Sequence, residues 1–245
     1  MRRPAAIPLL LALSASPVLA QGVPETRFVV SINGGVQATP NDFSQTGTFS
    51  EFLEDGAFTA DYELKGAPQV DAAILLRLWK QLHLGAAVSF LDGDTDTAIT
   101  ASVPHPFFFN QPRNVSGSDS LKRRETATHV LLGWPFALGD SVVVLLSAGP
   151  TFFHVEQDVV DDIAYEHSFP FNEASFTDAV TVQVKENAVG FNAGFDLGWY
   201  FSRRFGLGFL ARYSQASLDL RASDRNSVSG DAGGLHAGGG VRLRF

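Results

Sequence analysis

Residues 188–201 read AVGFNAGFDLGWYF, and the run alternates without a break. Odd positions carry Val189, Phe191, Ala193, Phe195, Leu197, Trp199 and Phe201. Even positions carry Ala188, Gly190, Asn192, Gly194, Asp196, Gly198 and Tyr200. Period two places successive side chains on opposite faces of a strand, so this segment reads as a strand with one bulky apolar face and one small, polar face. The pattern recurs at 205–214 (FGLGFLARYS) and at 27–36 (RFVVSINGGV). It recurs with more noise at 70–78, 82–90, 126–136 and 141–153, where Ser147, Gly149 and Thr151 read as the inward side of the last. With the C-terminal segment, eight strands are expected.

The links between them alternate in length. Trp79–Gln81, Ala137–Asp140 and Ser202–Arg204 are tight, whereas 37–65, 92–124, 156–186 and 216–232 read as long loops. A strict short–long alternation follows if the strands form a meander with all short turns at one end. The expected fold class is all-β: an eight-stranded antiparallel up-and-down barrel.

Residue size decides which face points inward. A soluble barrel needs bulk in its centre and polar groups outside. Here the polar face is glycine-rich, and the apolar face carries Phe, Leu, Trp and Val. The inverse arrangement sets bulk against lipid and small or charged groups in a narrow lumen. Closing the ring satisfies every backbone group, as a bilayer demands. By parity Asp71, Arg77, Asp196, Arg212, Arg242 and Arg244 all avoid the lipid face, where Arg or Lys near the midplane costs about 2–4 kcal/mol. Trp79, Trp134, Phe136, Trp199, Tyr200, Phe201 and Phe205 bunch beside the short turns, as an interfacial aromatic girdle would.

The rest of the sequence fits export. Arg2 and Arg3 precede a short apolar stretch from Ile7 to Leu13, and Val18-Leu19-Ala20 ends in a small residue. Residues 1–20 are expected to be a cleaved signal peptide, and 21–245 one barrel domain. The chain has no cysteine, which excludes disulfides and thiolate chemistry, and its net charge of −8 argues against nucleic-acid binding.

The last residues read GGLHAGGGVRLRF and stop on Phe245. Together with GFDLGWYFSRRFGLGFLARYS, this resembles the small eight-stranded outer-membrane β-barrels of bacteria, the group of the OmpA transmembrane domain, OmpW and the opacity-type proteins. The last strand of that family ends polar-Gly-x-x-hydrophobic-x-aromatic. Gly240, Leu243 and Phe245 match, while Gly239 stands where the family prefers a polar residue. The resemblance implies a place in the outer membrane among its lipids and lipopolysaccharide. It also implies that Gly240, Leu243 and Phe245 form a signal read by the barrel assembly machinery.

Asp71, Arg77, Asp196, Arg212 and Arg242 are the candidate site, a charge network inside the lumen. Buried charges should pair, which leaves a gate across a narrow path or a structural plug as the two readings. Other chemistry is poorly supported. Asp92, Asp94 and Asp96 resemble the start of a calcium loop, but Thr97 and Val103 stand where the pattern needs Gly and Glu. Glu166-His167-Ser168 is the one tight acid–His–Ser cluster, and neighbours on an extended chain point apart. No GxSxG occurs. Neither an enzyme, a metal nor a cofactor is expected. VPHPFFFNQP (103–112) carries three phenylalanines that could cap the barrel, enter the outer leaflet or meet a partner or hydrophobic solute. The expected function is structural, or passage of small or hydrophobic solutes. The alternative is surface adhesion or interaction through the long loops.

Overall fold

A computed structural model describes residues 27–37, 42–63, 66–221 and 227–245; the expected signal peptide lies outside the described residues. The strands are β1 (Phe28–Gln37), β2 (Phe43–Glu51), β3 (Glu54–Glu63), β4 (Pro68–Trp79) and β5 (Leu82–Val103), followed by β6 (Arg113–Leu138), β7 (Val142–Ser168), β8 (Glu173–Tyr200), β9 (Phe205–Arg221) and β10 (Ser227–Arg244). Eight of them close a ring, β1-β4-β5-β6-β7-β8-β9-β10 and back to β1, with every neighbouring pair antiparallel.

The seam is the β1–β10 ladder, which runs from Val29↔Arg244 to Gln37↔His236. Phe245 ends it. Its N–H donates to Phe28 O at 3.0 Å, its carbonyl accepts from Arg27 N at 2.7 Å, and its ring stacks on Phe28 at 4.8 Å. The C-terminal aromatic is therefore the lock of the ring as well as its last residue. The three tight turns lie at this same end, and Gly139 supplies a positive φ of 79° in the Leu138-to-Val142 turn.

Near the short turns the exterior is apolar. Ile32, Val36, Val70, Ile74, Phe90, Leu132, Phe195 and Val241 are all exposed, while Ser31, Asn33, Asp71, Arg212 and Arg242 are buried inside. From Trp79 to Val70 along β4 this band is about 23 Å tall at ~3.3 Å per residue and a ~40° tilt, close to the ~25 Å of a membrane belt. The chain is a transmembrane β-barrel. Trp79, Trp134, Phe136, Trp199, Phe201 and Phe205 are exposed at the short-turn rim as a girdle. Tyr200 departs from it: the residue is buried, and Arg244 lies 4.0 Å over its ring.

The long loops expected from the sequence are mostly strand. β5, β6, β7 and β8 run far beyond the apolar band, and residues 37–65 contain the β2–β3 hairpin, whose β3 pairs with β5 from Ala57↔Ser102 to Glu63↔Asp96. The reason is a change of solvent at constant parity. On β5 the outward positions go from Leu84, Ala86, Val88 and Phe90 to Asp92, Asp94, Asp96 and Thr100, and the inward ones from His83, Gly85 and Ser89 to Ile99, Ala101 and Val103. Above the lipid the outside faces water, so the apolar residues move to the inside face. The band ends near Phe90 on β5, Phe152 on β7 and Val189 on β8. Beyond it, His154 to Ser168 rises roughly 35 Å at ~3.3 Å per residue and ~40° tilt.

Candidate functional site

The lumen is filled by stacked layers. The lowest is a chain of five side chains from five strands. Arg242 holds Asp196 with two bonds, Nε to Oδ1 at 2.9 Å and Nη2 to Oδ2 at 2.6 Å. Its Nη1 donates to Asn33 Oδ1 at 2.6 Å. Asn33 Nδ2 donates to Asp71 Oδ1 at 3.1 Å, and Arg212 Nη1 donates to Asp71 Oδ2 at 2.5 Å. Alternating sign along the chain gives each buried charge an opposite neighbour, which offsets desolvation. Four of the five residues singled out in the sequence thus meet. Arg77 stays apart: it lies half-exposed at the short-turn mouth beside a bulge of β4, and its amide donates to Arg27 O at 2.9 Å. The cavity beneath the network, lined by Ser31, His83, Asp196, Tyr200, Arg242 and Arg244 among others, holds only about 50 Å³. Asn33, which joins the two ion pairs, carries no charge and was not singled out in the sequence.

Above lies a layer of hydroxyl, imidazole and amide groups. His129 Nε2 sits 3.1 Å from Ser89 Oγ, and its Nδ1 sits 2.8 Å from Thr151 Oγ1. Asn192 Nδ2 reaches Thr151 Oγ1 at 2.9 Å and the carbonyls of Gly149 and Pro150 at 3.0 and 3.1 Å. Those carbonyls lie where the β6–β7 ladder skips from His129↔Thr151 to Leu132↔Ala148. Pro150 has no N–H to give, and the amide of Asn192 stitches the gap. The Ser89–His129 contact has a hydroxyl where a hydrolase would have an orienting carboxylate, and both residues are buried.

Arg123 and Glu125 form the third layer, bonded at 3.3 Å, with Arg123 Nη2 also donating to Asp231 O at 2.9 Å. Arg123 lies within 92–124, which the sequence pattern marks as a loop, so parity does not place it in the lumen. Glu125 sits just before the 126–136 segment, where charge alone does not mark it.

A large apolar cluster closes the distal end: Phe58, Tyr62, Ile99, Val103, Val115, Leu121, Val160 and Ile163 among its buried members. Fully burying each large side chain contributes about 1.5–3 kcal/mol. Within it Tyr62 Oη donates to Gln45 Oε1 at 2.5 Å and accepts from Val160 N at 2.9 Å, while Gln45 Nε2 donates to Val160 O at 2.8 Å. This triangle ties β2 and β3 to β7 beyond the point, Arg123↔Gln157, where the β6–β7 ladder ends. Burial pushes the Tyr62 phenol up to about 12, partly opposed by its bond from Val160.

Asp92, Asp94 and Asp96 lie on the water-facing side of β5, and Asp92 pairs with Arg124 at 3.1 Å. They sit within strand, not at the mouth of a loop. Among the described residues no group of three metal-ligating side chains occurs. Glu166 and Ser168 are exposed, while His167 turns in to Arg113, whose Nη1 lies 2.8 Å from Nδ1. Burial lowers the Arg113 guanidinium from its ordinary value, and Glu51 opposes this.

No protein-family model and no curated protein matches the sequence. Solved structures align over most of the chain. The outer membrane protein OprG from Pseudomonas aeruginosa is 9% identical, with a TM-score of 0.45 over 90% of this chain and 97% of that one. Neisserial surface protein A is 12% identical, with a TM-score of 0.42 over 89% and 97%. The outer membrane protease OmpT from Escherichia coli is 9% identical, with a TM-score of 0.47 over 89% and 97%.

Proposed function

We propose that this chain is a non-catalytic protein of the bacterial outer membrane, a closed barrel that anchors a rigid β-structured head outside the cell and acts there by binding. The double closure of the lumen carries this reading: the Asp196–Arg242–Asn33–Asp71–Arg212 chain below and the apolar cluster around Tyr62 above. The outward apolar band supports residence among outer-membrane lipids and lipopolysaccharide. Export by a signal peptide at 1–20, and recognition of Gly240, Leu243 and Phe245 by the barrel assembly machinery, belong to the same proposal.

A narrow path for small solutes is the second reading. It is favoured by buried polar atoms that lack a protein partner, Nδ1 and Nε2 of His236, Nε of Arg212 and Oδ1 of Asn192, which water in the lumen would satisfy. Conductance across a planar bilayer separates the two. The closed reading expects a silent membrane after insertion of the native protein, and regular unitary steps would replace it with the path.

A further inference from the structure

The distal end of the barrel is apolar. Three hairpin tips meet there, and each presents large hydrophobic side chains to water. The β2–β3 turn carries Phe52 and Leu53, the latter 96% exposed. The β5–β6 connection carries Phe107, Phe108 and Phe109, and the β7–β8 turn carries Phe169, 87% exposed. The rings are contiguous: Phe107 lies 5.3 Å from Phe171, Phe169 lies 5.9 Å from Phe171, and Phe52 lies 5.8 Å from His167.

This crown is built. Asn110 N donates to Glu54 Oε1 at 2.7 Å, tying the first tip to the second. Arg113 ties the second to the third through His167 at 2.8 Å and Phe171 O at 3.3 Å, and holds Pro104 O at 2.6 Å. Phe52 and Leu53 both take positive φ, 52° and 64°, in a two-residue turn where Asn-Gly is the usual choice, and Phe171 takes 74°. Bulky apolar residues are disfavoured in that conformation, yet here they occupy it and point outward.

Two observations select the occupant. The tips stand roughly 35 Å beyond the lipid band by strand length and tilt, so they cannot reach the outer leaflet of their own membrane. The surround is acidic: Asp55, Glu166 and Glu173 are exposed near the tips, and Arg113, the arginine among the described residues that ties the tips together, is buried. An anionic membrane or a second copy of this chain would meet like charge. We infer that the crown is a docking surface for a protein partner whose apolar patch is bordered by Lys or Arg. This rests on the reading of the protein as a surface binder.

The test uses the full chain in phosphatidylcholine nanodiscs and two synthetic amphipathic peptides with the same apolar face, one bordered by Lys and one by Glu. Empty nanodiscs give the lipid background. The Lys peptide is expected to bind above that background, and the Glu peptide is not. A Leu53→Ser/Phe107→Ser/Phe169→Ser variant, checked for heat-modifiable migration, should weaken the Lys peptide by tenfold or more, on the order of a hot-spot loss. Glu166→Gln/Glu173→Gln should weaken it less and blunt its salt dependence. Equal binding of both peptides, or no effect of the triple variant, overturns the inference. So does crown-dependent binding to phosphatidylcholine vesicles, which would make the target a membrane, or crown-dependent self-association. Unitary conductance would instead remove the closed-barrel reading and leave the peptide result standing.

Discussion

Arg212 and Asp71 are 141 residues apart in sequence and 2.5 Å apart in the lumen, donated by β9 and β4, which are not neighbours in the ring. Both are buried. The pair is a strut across the barrel, and its loss is asymmetric. Asp71→Leu leaves a buried guanidinium without its counter-charge and is expected to cost about 3–5 kcal/mol. Asp71→Leu with Arg212→Met removes both charges and should recover most of that loss. Urea unfolding of the protein refolded in lipid vesicles, followed by tryptophan fluorescence, measures both. A double variant no better than the single one would remove the strut argument.

Gly240 and its neighbour Gly239 should respond differently to a methyl group. A Cβ on Gly240 would lie 1.8 Å from Ile32 O across the seam, whereas one on Gly239 would meet only Gly208 O at 3.6 Å. Gly240→Ala is therefore expected to open or distort the β1–β10 ladder and to abolish the heat-modifiable band in detergent gels. Gly239→Ala should keep it. Because the refolding is done without assembly factors, the experiment separates backbone fit from any role of this glycine as a recognition signal.

Asn192 substitutes for backbone bonding beside Pro150. Asn192→Ala removes donors to two main-chain carbonyls and to Thr151 in a buried setting, and a loss of about 1–3 kcal/mol is expected. The effect should be local. Amide exchange should rise on β6 and β7 around Val130 and Pro150 and stay unchanged on the β1–β10 seam. Uniform exchange throughout would mean that the amide does not act on this gap.

How much of this was legible depends on where the solvent changes. In the membrane half, parity alone sorts Asp71, Asp196, Arg212 and Arg242 inward and Phe195, Leu197 and Val241 outward, because a glycine-rich face opposite a bulky one has one physical solution. Beyond Phe90 the same parity persists with reversed polarity, so Ile99, Ala101 and Val103 no longer mark a lipid face and the strands read as loops. Asn33 and Asn192 were on the inward face but carry no charge, and the gap at Pro150 exists only between strands. The crown was visible as PFFF but not as a surface, since it needs Phe52 and Phe169 from two other tips.

Tyr62 gives the distal head a signature in base. Its phenol is buried, bonded to Gln45 and Val160, and pushed up to about 12, against about 10 when exposed in the unfolded chain. A raised pKa means that the folded state favours the protonated phenol. The stabilisation is fully present below pH ~10 and is lost as pH rises from there through ~12, a change on the order of 2–3 kcal/mol. Amide exchange of β2, β3 and the outer part of β7 between pH 8 and 11.5 should therefore exceed the ordinary base-catalysed increase. Tyr62→Phe removes the titrating group and should flatten that excess. It should also cost about 1–3 kcal/mol at neutral pH, because Gln45 Oε1 and Val160 N lose their partner inside an apolar cluster. The membrane belt, measured on β1 and β10, should not follow this titration. A belt and head that loosen together would mean that the two halves unfold as one unit.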